Sequence, residues 1–200
     1  MLKELKTNTS AVERFLGELT QDFDTGEVLE IRAIGDRNKI HTRRFALHAF
    51  DDAIDFIVRK NQWLNIYVVV NPVPQDAPKA AKDLDIKRAL FAFVDADELG
   101  AADRARSCDL FSQSMEVVTG VVPHFRNHIY YRLTEPLTDM AVWSDLQKQC
   151  ASHLGTDKSI HNPSRIMRVA GTVSYPSQSK MKRGYQIEQT RLILGGVYVE

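Results

Sequence analysis

Apolar residues along this chain recur in two rhythms, and the rhythm changes at turn-forming residues. Ser10-Ala-Val-Glu13 matches a capping box, and the amphipathic pattern it opens predicts a helix through about Leu19. "GEVLEIRAIG" (26–35) reads as a strand ended by Gly35, and "HTRRFAL" (41–47) as a second, shorter one. "DDAIDFIVRKNQWL" (51–64) reads as a helix with Asp51 or Asp52 as its cap. "NIYVVVNPVP" (65–74) is β-branched and aromatic, then stopped by two prolines. The polar stretch 75–87 reads as a loop or short helix and is the candidate joint between lobes.

The second half begins with an apolar strand over 88–95, then a helix within 99–114. Strands at 115–122 and 128–133 are close enough to pair as a hairpin. A helix over 138–155 is capped by Thr138 or Asp139 and closed by Gly155, and strands follow at 164–176 and 185–194. The order β-α-β-β-α-β with an extra strand is ferredoxin-like, a sheet with helices on one face. The expectation is one α+β domain over 1–200, with an N-terminal αβ lobe (1–80) and an RRM-like lobe with an antiparallel sheet (81–200).

Composition narrows the classes. Hydrophobic residues make up 44% of the chain and charged residues 26%, the balance of an ordinary globular domain. No apolar run reaches the ~20 residues of a membrane helix, and the N-terminus lacks a signal-peptide core. Cys108 and Cys150 form no C-x-x-C pair, so a cytoplasmic protein with free thiols is expected. The formal net charge is zero, but the charges are segregated. Residues 157–185 carry six Lys/Arg against one acid, and residues 83–109 carry seven acids against four bases. Two solvated faces, or the two sides of one polyanion site, both satisfy that pattern.

Within the acidic segment, "RALFAFVDADELG" (88–100) poses a physical problem. Residues i and i+2 of a strand share a face, so Asp95 and Asp97 project together from the end of an apolar strand, with Glu98 on the other face. Neighbouring carboxylates repel, and divalent cations would offset the repulsion. A strand end entering a turn accounts for D-x-D equally well. Arg165 and Arg168, three apart, face opposite sides of a regular strand, so a bend is needed for both to grip one phosphate group. A salt-bridged surface strand is the other reading. His124 and His128 have zinc spacing only on a helix, which Pro123 disfavours. Tyr130, Tyr131 and Tyr175 could stack on bases or fill a core.

Taken together, "VDAD", "RNH" and "DKSIHNPSRIMRVAGT" resemble the catalytic core of the archaeo-eukaryotic primase superfamily. The likeness is to its phage- and plasmid-type, RepB-like primase-polymerases. That family carries D-x-D/E at a strand end, a small-x-His motif opening another strand, and a third acid before R-x-x-R. Two departures stand out: Arg126 occupies the small position, and "YPSQS" displaces Lys180. The resemblance implies that Asp95, Asp97 and Asp157 hold two Mg²⁺ or Mn²⁺ ions. It implies that His128, Arg165, Arg168 and Lys180 grip the triphosphate of a dNTP or NTP. The implied partners are a single-stranded DNA template and a replicative helicase, supplied in trans or by a missing C-terminal region. A metal-dependent nuclease and a non-catalytic replication-initiator module are the alternatives.

Overall fold

Helix α1 (Thr9–Thr20) starts one residue before the anticipated capping box. Its cap is Asn8, whose side chain accepts from Ala11 N at 3.1 Å, and not Ser10. Tertiary structure decides this: Asn8 N also donates to Gly171 O at 2.8 Å. A Cβ on Gly171 would lie 2.4 Å from Asn8 O, and its φ is +78°, so the contact requires glycine. The computed structural model describes residues 5–35, 39–108 and 112–199.

The first sheet contains β1 (Glu27–Ile34), β2 (Ile40–Ala46), β3 (Asn65–Val69) and β4 (Val73–Pro74). Helix α2 (Phe50–Lys60) connects β2 to β3; Asp51 and Asp52 occupy its first turn and no side chain caps it. The predicted strand 65–74 is interrupted at 70–72, where Asn71 turns inward and donates to Pro163 O at 3.0 Å. The segment 75–87, expected as a joint, holds one 3₁₀ turn at Asp83–Asp85. It is strapped to the first sheet by Glu30, fully buried, which accepts from Arg32, Arg44 and Ala81 N.

The second sheet has the order β12-β11-β6-β7-β5, from β5 (Ala89–Ala96), β6 (Met115–Gly120), β7 (Arg126–Leu137), β11 (Arg191–Leu194) and β12 (Val197–Val199). Helix α3 (Ala101–Arg106) fills part of the span predicted as helix, of which 109–111 lie outside the described residues. Helix α4 (Met140–Leu154) matches expectation at both ends: Asp139 caps it through Ala141 N and Val142 N, and Gly155 closes it at φ +63°.

The ferredoxin-like reading requires correction at its last strand. Residues 164–176 do not form one strand beside β5. Ile166–Arg168 (β8) instead pairs with β3 in the first sheet, while Val173–Ser174 (β9) pairs with Glu188–Gln189 (β10). The predicted strand 185–194 is likewise divided, and its second part pairs with β6. The edge of β5 is satisfied without a strand. Trp143 Nε1 donates to Phe91 O at 2.9 Å. Gln147 accepts from Phe93 N at 3.0 Å and donates to Phe93 O at 2.9 Å, and Asp157 N donates to Asp95 O at 3.1 Å. Side chains of α4 replace a neighbouring backbone, which leaves β8 to pair with β3 in the first sheet. One core then runs between the sheets, joining Phe15, Ile31 and Val68 to Phe91, Met115 and Trp143.

Candidate active site

Strand β5 delivers its last inward-facing side chain, Asp95, to the floor of a polar cleft of about 460 Å³ between the two sheets. Phe91 and Phe93 precede it on the same face and are fully buried. Asp95 is paired in register with His128 of β7, and His128 Nε2 lies 3.6 Å from Asp95 Oδ1. Burial pushes the Asp95 carboxyl up to about 7, with the Asp97 and Asp157 carboxylates adding to the rise. Lys180 and Arg168 oppose it. Burial and the same two cations bring His128 down to about 3, so its imidazole is neutral. His128 Nδ1 is buried with no partner among the described residues.

Asp97 stands just past the strand. Its carboxylate lies 3.1 Å from Lys180 Nζ and 3.4 Å from Arg126 Nε. Its carbonyl meets His124 Nε2 at 2.8 Å, so His124 braces the backbone at Asp97. Asp157 reaches the site differently. Its backbone hydrogen bond to Asp95 holds it alongside, but its carboxylate turns to Ser159 N at 2.8 Å and does not line the cleft. Among the described residues, no three His, Cys, Asp or Glu side chains converge as a ready cation site. Glu98 is exposed and outside the cleft.

The basic wall comes from the first sheet and the segment after it. Arg165 and Arg168 both line the cleft because Arg165 precedes β8, where the chain is still turning (Arg165 N to Asn162 O, 3.0 Å). That turn supplies the bend which the three-residue spacing requires. Asp83 anchors it by accepting from Ser164 N and Oγ at 2.9 and 2.6 Å. Burial alone would raise the Asp83 carboxyl, yet these hydrogen bonds, one from Asn162 and the charge of Arg165 hold it below its ordinary value. Arg168 is aimed by Asn65 Oδ1 at 2.6 Å and Tyr67 OH at 3.0 Å. Lys180 sits on the short helix α5 (Gln178–Met181), whose Ser177 cap restores the lysine to the cleft despite the inserted residues.

Four participants were not legible in the sequence. Asn65 and Tyr67 read as ordinary strand residues. Arg126 read as a departure; it is 4% exposed, donates to Val122 O and His124 O, pairs with Glu188 at 3.1 Å and stacks 4.3 Å over Tyr185. The small residue expected near His128 is instead found across the hairpin. A Cβ on Gly120 would lie 1.9 Å from Arg126 Nη2, so glycine makes room for the guanidinium. Of the aromatics proposed for stacking, Tyr130 and Tyr131 are buried core residues, and Tyr130 meets Phe15, Phe91 and Phe93 edge-on or tilted. Tyr175 lines the cleft, its hydroxyl tied to Asn61 O and Gln62 O.

Solved structures share this architecture. The chain superposes on the AEP domain of the cyanophage S-2L primase-polymerase (PrimPol) with a TM-score of 0.65 and 24% identity, over 97% of this chain and 94% of that one. Primase RepB' matches with a TM-score of 0.61 and 11% identity, over 92% and 57%. The catalytic domain of primase RepB' in complex with initiator DNA matches at 0.56 and 13%, over 94% and 83%. No family model and no curated protein matches the chain. The fold is that of these primase catalytic cores, α+β with antiparallel sheets.

Proposed function

We propose that this chain is a primase-polymerase core that transfers nucleotidyl groups on a single-stranded DNA template, using divalent cations. The observation that supports this most directly is the polarity of one cleft. Asp95 and Asp97 end a strand on one side, while Arg165, Arg168 and Lys180 face them from the other. A nucleotide triphosphate with its cations has that same polarity. The primase-type fold supports the same reading.

The donor set suits a hard cation. Asp95 and Asp97 offer only carboxylate oxygens, and the raised Asp95 carboxyl marks a site where negative charge lacks compensation. Bound Mg²⁺ or Mn²⁺, held by Asp95 and Asp97 with Asp157 alongside, would supply activation of a 3′-hydroxyl and charge stabilisation at the departing pyrophosphate. The protein's own part is positioning. Arg168, locked by Asn65 and Tyr67, presents a preset fork to phosphate oxygens. Neutral His128 has one ring N–H to offer a phosphate oxygen without adding charge beside Asp95. Arg126 and His124 hold Asp97 in place.

The test is incubation with a single-stranded template, labelled nucleotides and Mn²⁺, beside Asp95→Asn and Asp97→Asn. Extension by the wild type and a loss of at least about 10³-fold in either variant is expected. Full activity in a folded variant would overturn the assignment. Cleavage of the template without nucleotides would point to a nuclease, and binding that is indifferent to chelator, with no synthesis, to an initiator module.

A further inference from the structure

A second basic surface lies on the opposite, helix-bearing face of the first sheet. Alternation along β2 places His41 and Arg43 on the face of Phe45, which packs against Phe56 of α2 at 5.6 Å. Beyond the end of α2 those strand residues and Lys39 face Arg59, Lys60 and Trp63 across a groove of about 670 Å³, floored by Phe56 and Leu64. Among the described residues, no carboxylate lines this groove. Among the described residues, Lys39, Arg43, Arg59 and Lys60 form no ion pair. Trp63 is 74% exposed, whereas Trp143 is fully buried.

The cations have local reasons to be there. An edge strand such as β2 is protected from pairing by charge, and the C-terminus of α2 favours Arg59 and Lys60. Neither reason explains an indole left in water among them. A basic groove with an exposed aromatic is the chemistry that holds a phosphodiester backbone and stacks one base. The groove also abuts the cleft: Leu64 precedes Asn65, and Ile34, paired with Ile40, lines the cleft from the other face.

We propose that this groove is a second nucleic-acid contact, a landing site for single-stranded nucleic acid outside the catalytic cleft. Choosing nucleic acid over other polyanions rests on the primase-polymerase reading. Strand engaged at Trp63 would pass around the end of the first sheet toward the cleft, and would be held there without cations in the active site.

Trp63 and Trp143 are the only tryptophans, so intrinsic emission reports the groove against a buried reference. The full chain is titrated at low salt, in excess chelator, with an oligothymidylate of about 15 nucleotides. Quenching of the Trp63 emission is expected, and Trp63→Ala, read by the anisotropy of a labelled oligothymidylate, should weaken binding by about 10-fold. The triple variant Arg43→Ala/Arg59→Ala/Lys60→Ala should lose more than about 10-fold and flatten the dependence of log K on log salt by about 2. Far-UV dichroism and Tm check that each variant is folded.

Unchanged wild-type emission, or a triple variant with wild-type affinity and salt slope, overturns the proposal. So does quenching by phosphatidylserine vesicles or polyglutamate at lower concentration than by the oligonucleotide. Because the titration needs no catalysis, quenching without any primer extension would sink only the polymerase reading. Extension without quenching would sink only the groove.

Discussion

Asp95 is where burial and function oppose each other in this protein. Its carboxyl is raised from 3.8 to about 7 by burial and by Asp97 and Asp157, so the folded state binds its proton more tightly than the unfolded chain does. The sign follows by linkage. Below pH 4 both states are protonated and Asp95 costs nothing; between pH 4 and 7 stability falls; above pH 7 the whole cost is present. Asp95→Asn should therefore stabilise the cation-free protein at pH 8 by on the order of 2–4 kcal/mol, and leave it unchanged at pH 4. Urea unfolding at the two pH values checks this, and equal effects at both would refute it. Mn²⁺ should raise the Tm of the wild type at pH 8 and not that of Asp95→Asn. His128 behaves in the opposite sense: neutral when folded, it contributes stability above pH 6.5 that is lost as pH falls toward 3. A second residue-scale prediction concerns Gly120. Gly120→Ala displaces Arg126 from Glu188 and Asp97, and templated extension should fall by at least about 10-fold while the fold survives. Wild-type extension by the folded variant would remove Arg126 from the positioning role.

At the scale of elements, the pairing between α4 and the edge of β5 controls where the acids stand. Gln147 imitates a strand backbone at Phe93, and Trp143 and Asp157 continue the pattern on either side. Gln147→Met keeps the volume but leaves a buried N–H and C=O without partners, a cost of about 2–3 kcal/mol in urea unfolding. Destabilisation under 0.5 kcal/mol would mean that water or another group takes over the edge. The helices themselves were largely legible in sequence. Asp139 and Gly155 bound α4 as read, because a cap and a left-handed glycine are local devices. The interrupted strands were not legible. "NIYVVVNPVP" and "SRIMRVAGTVSYP" look continuous by propensity, but Asn71 and Gly171 make tertiary hydrogen bonds that break them. The start of α1 moved for the same reason, since Asn8 is held by Gly171.

For the whole molecule, β8 extends the first sheet and sends Met167 into the core that spans both. It pairs with β3, carries Arg168 and follows Arg165, so the basic half of the cleft belongs to the first sheet and the acidic half to the second. Because one core spans both, unfolding should be a single cooperative transition, with Trp143 emission and far-UV dichroism coinciding. Two separated transitions would show that the lobes fold apart.

By itself the sequence determined the α+β class, both ends of α4 and which segments carry the acids and the bases, since these depend on local periodicity, capping and residue type. The segregation of acids at 83–109 from bases at 157–185 was already visible there, as was the need for a bend at Arg165. Only the tertiary structure decided that the two segments face each other. It also chose the sheet that β8 joins, drew Lys180, Arg126 and Tyr67 into the cleft, and left the Asp157 carboxylate at its margin. Those outcomes depend on which strand edge is already occupied. The edge of β5 had been taken by Gln147 and Trp143, a contact between residues more than fifty positions apart that no local pattern encodes.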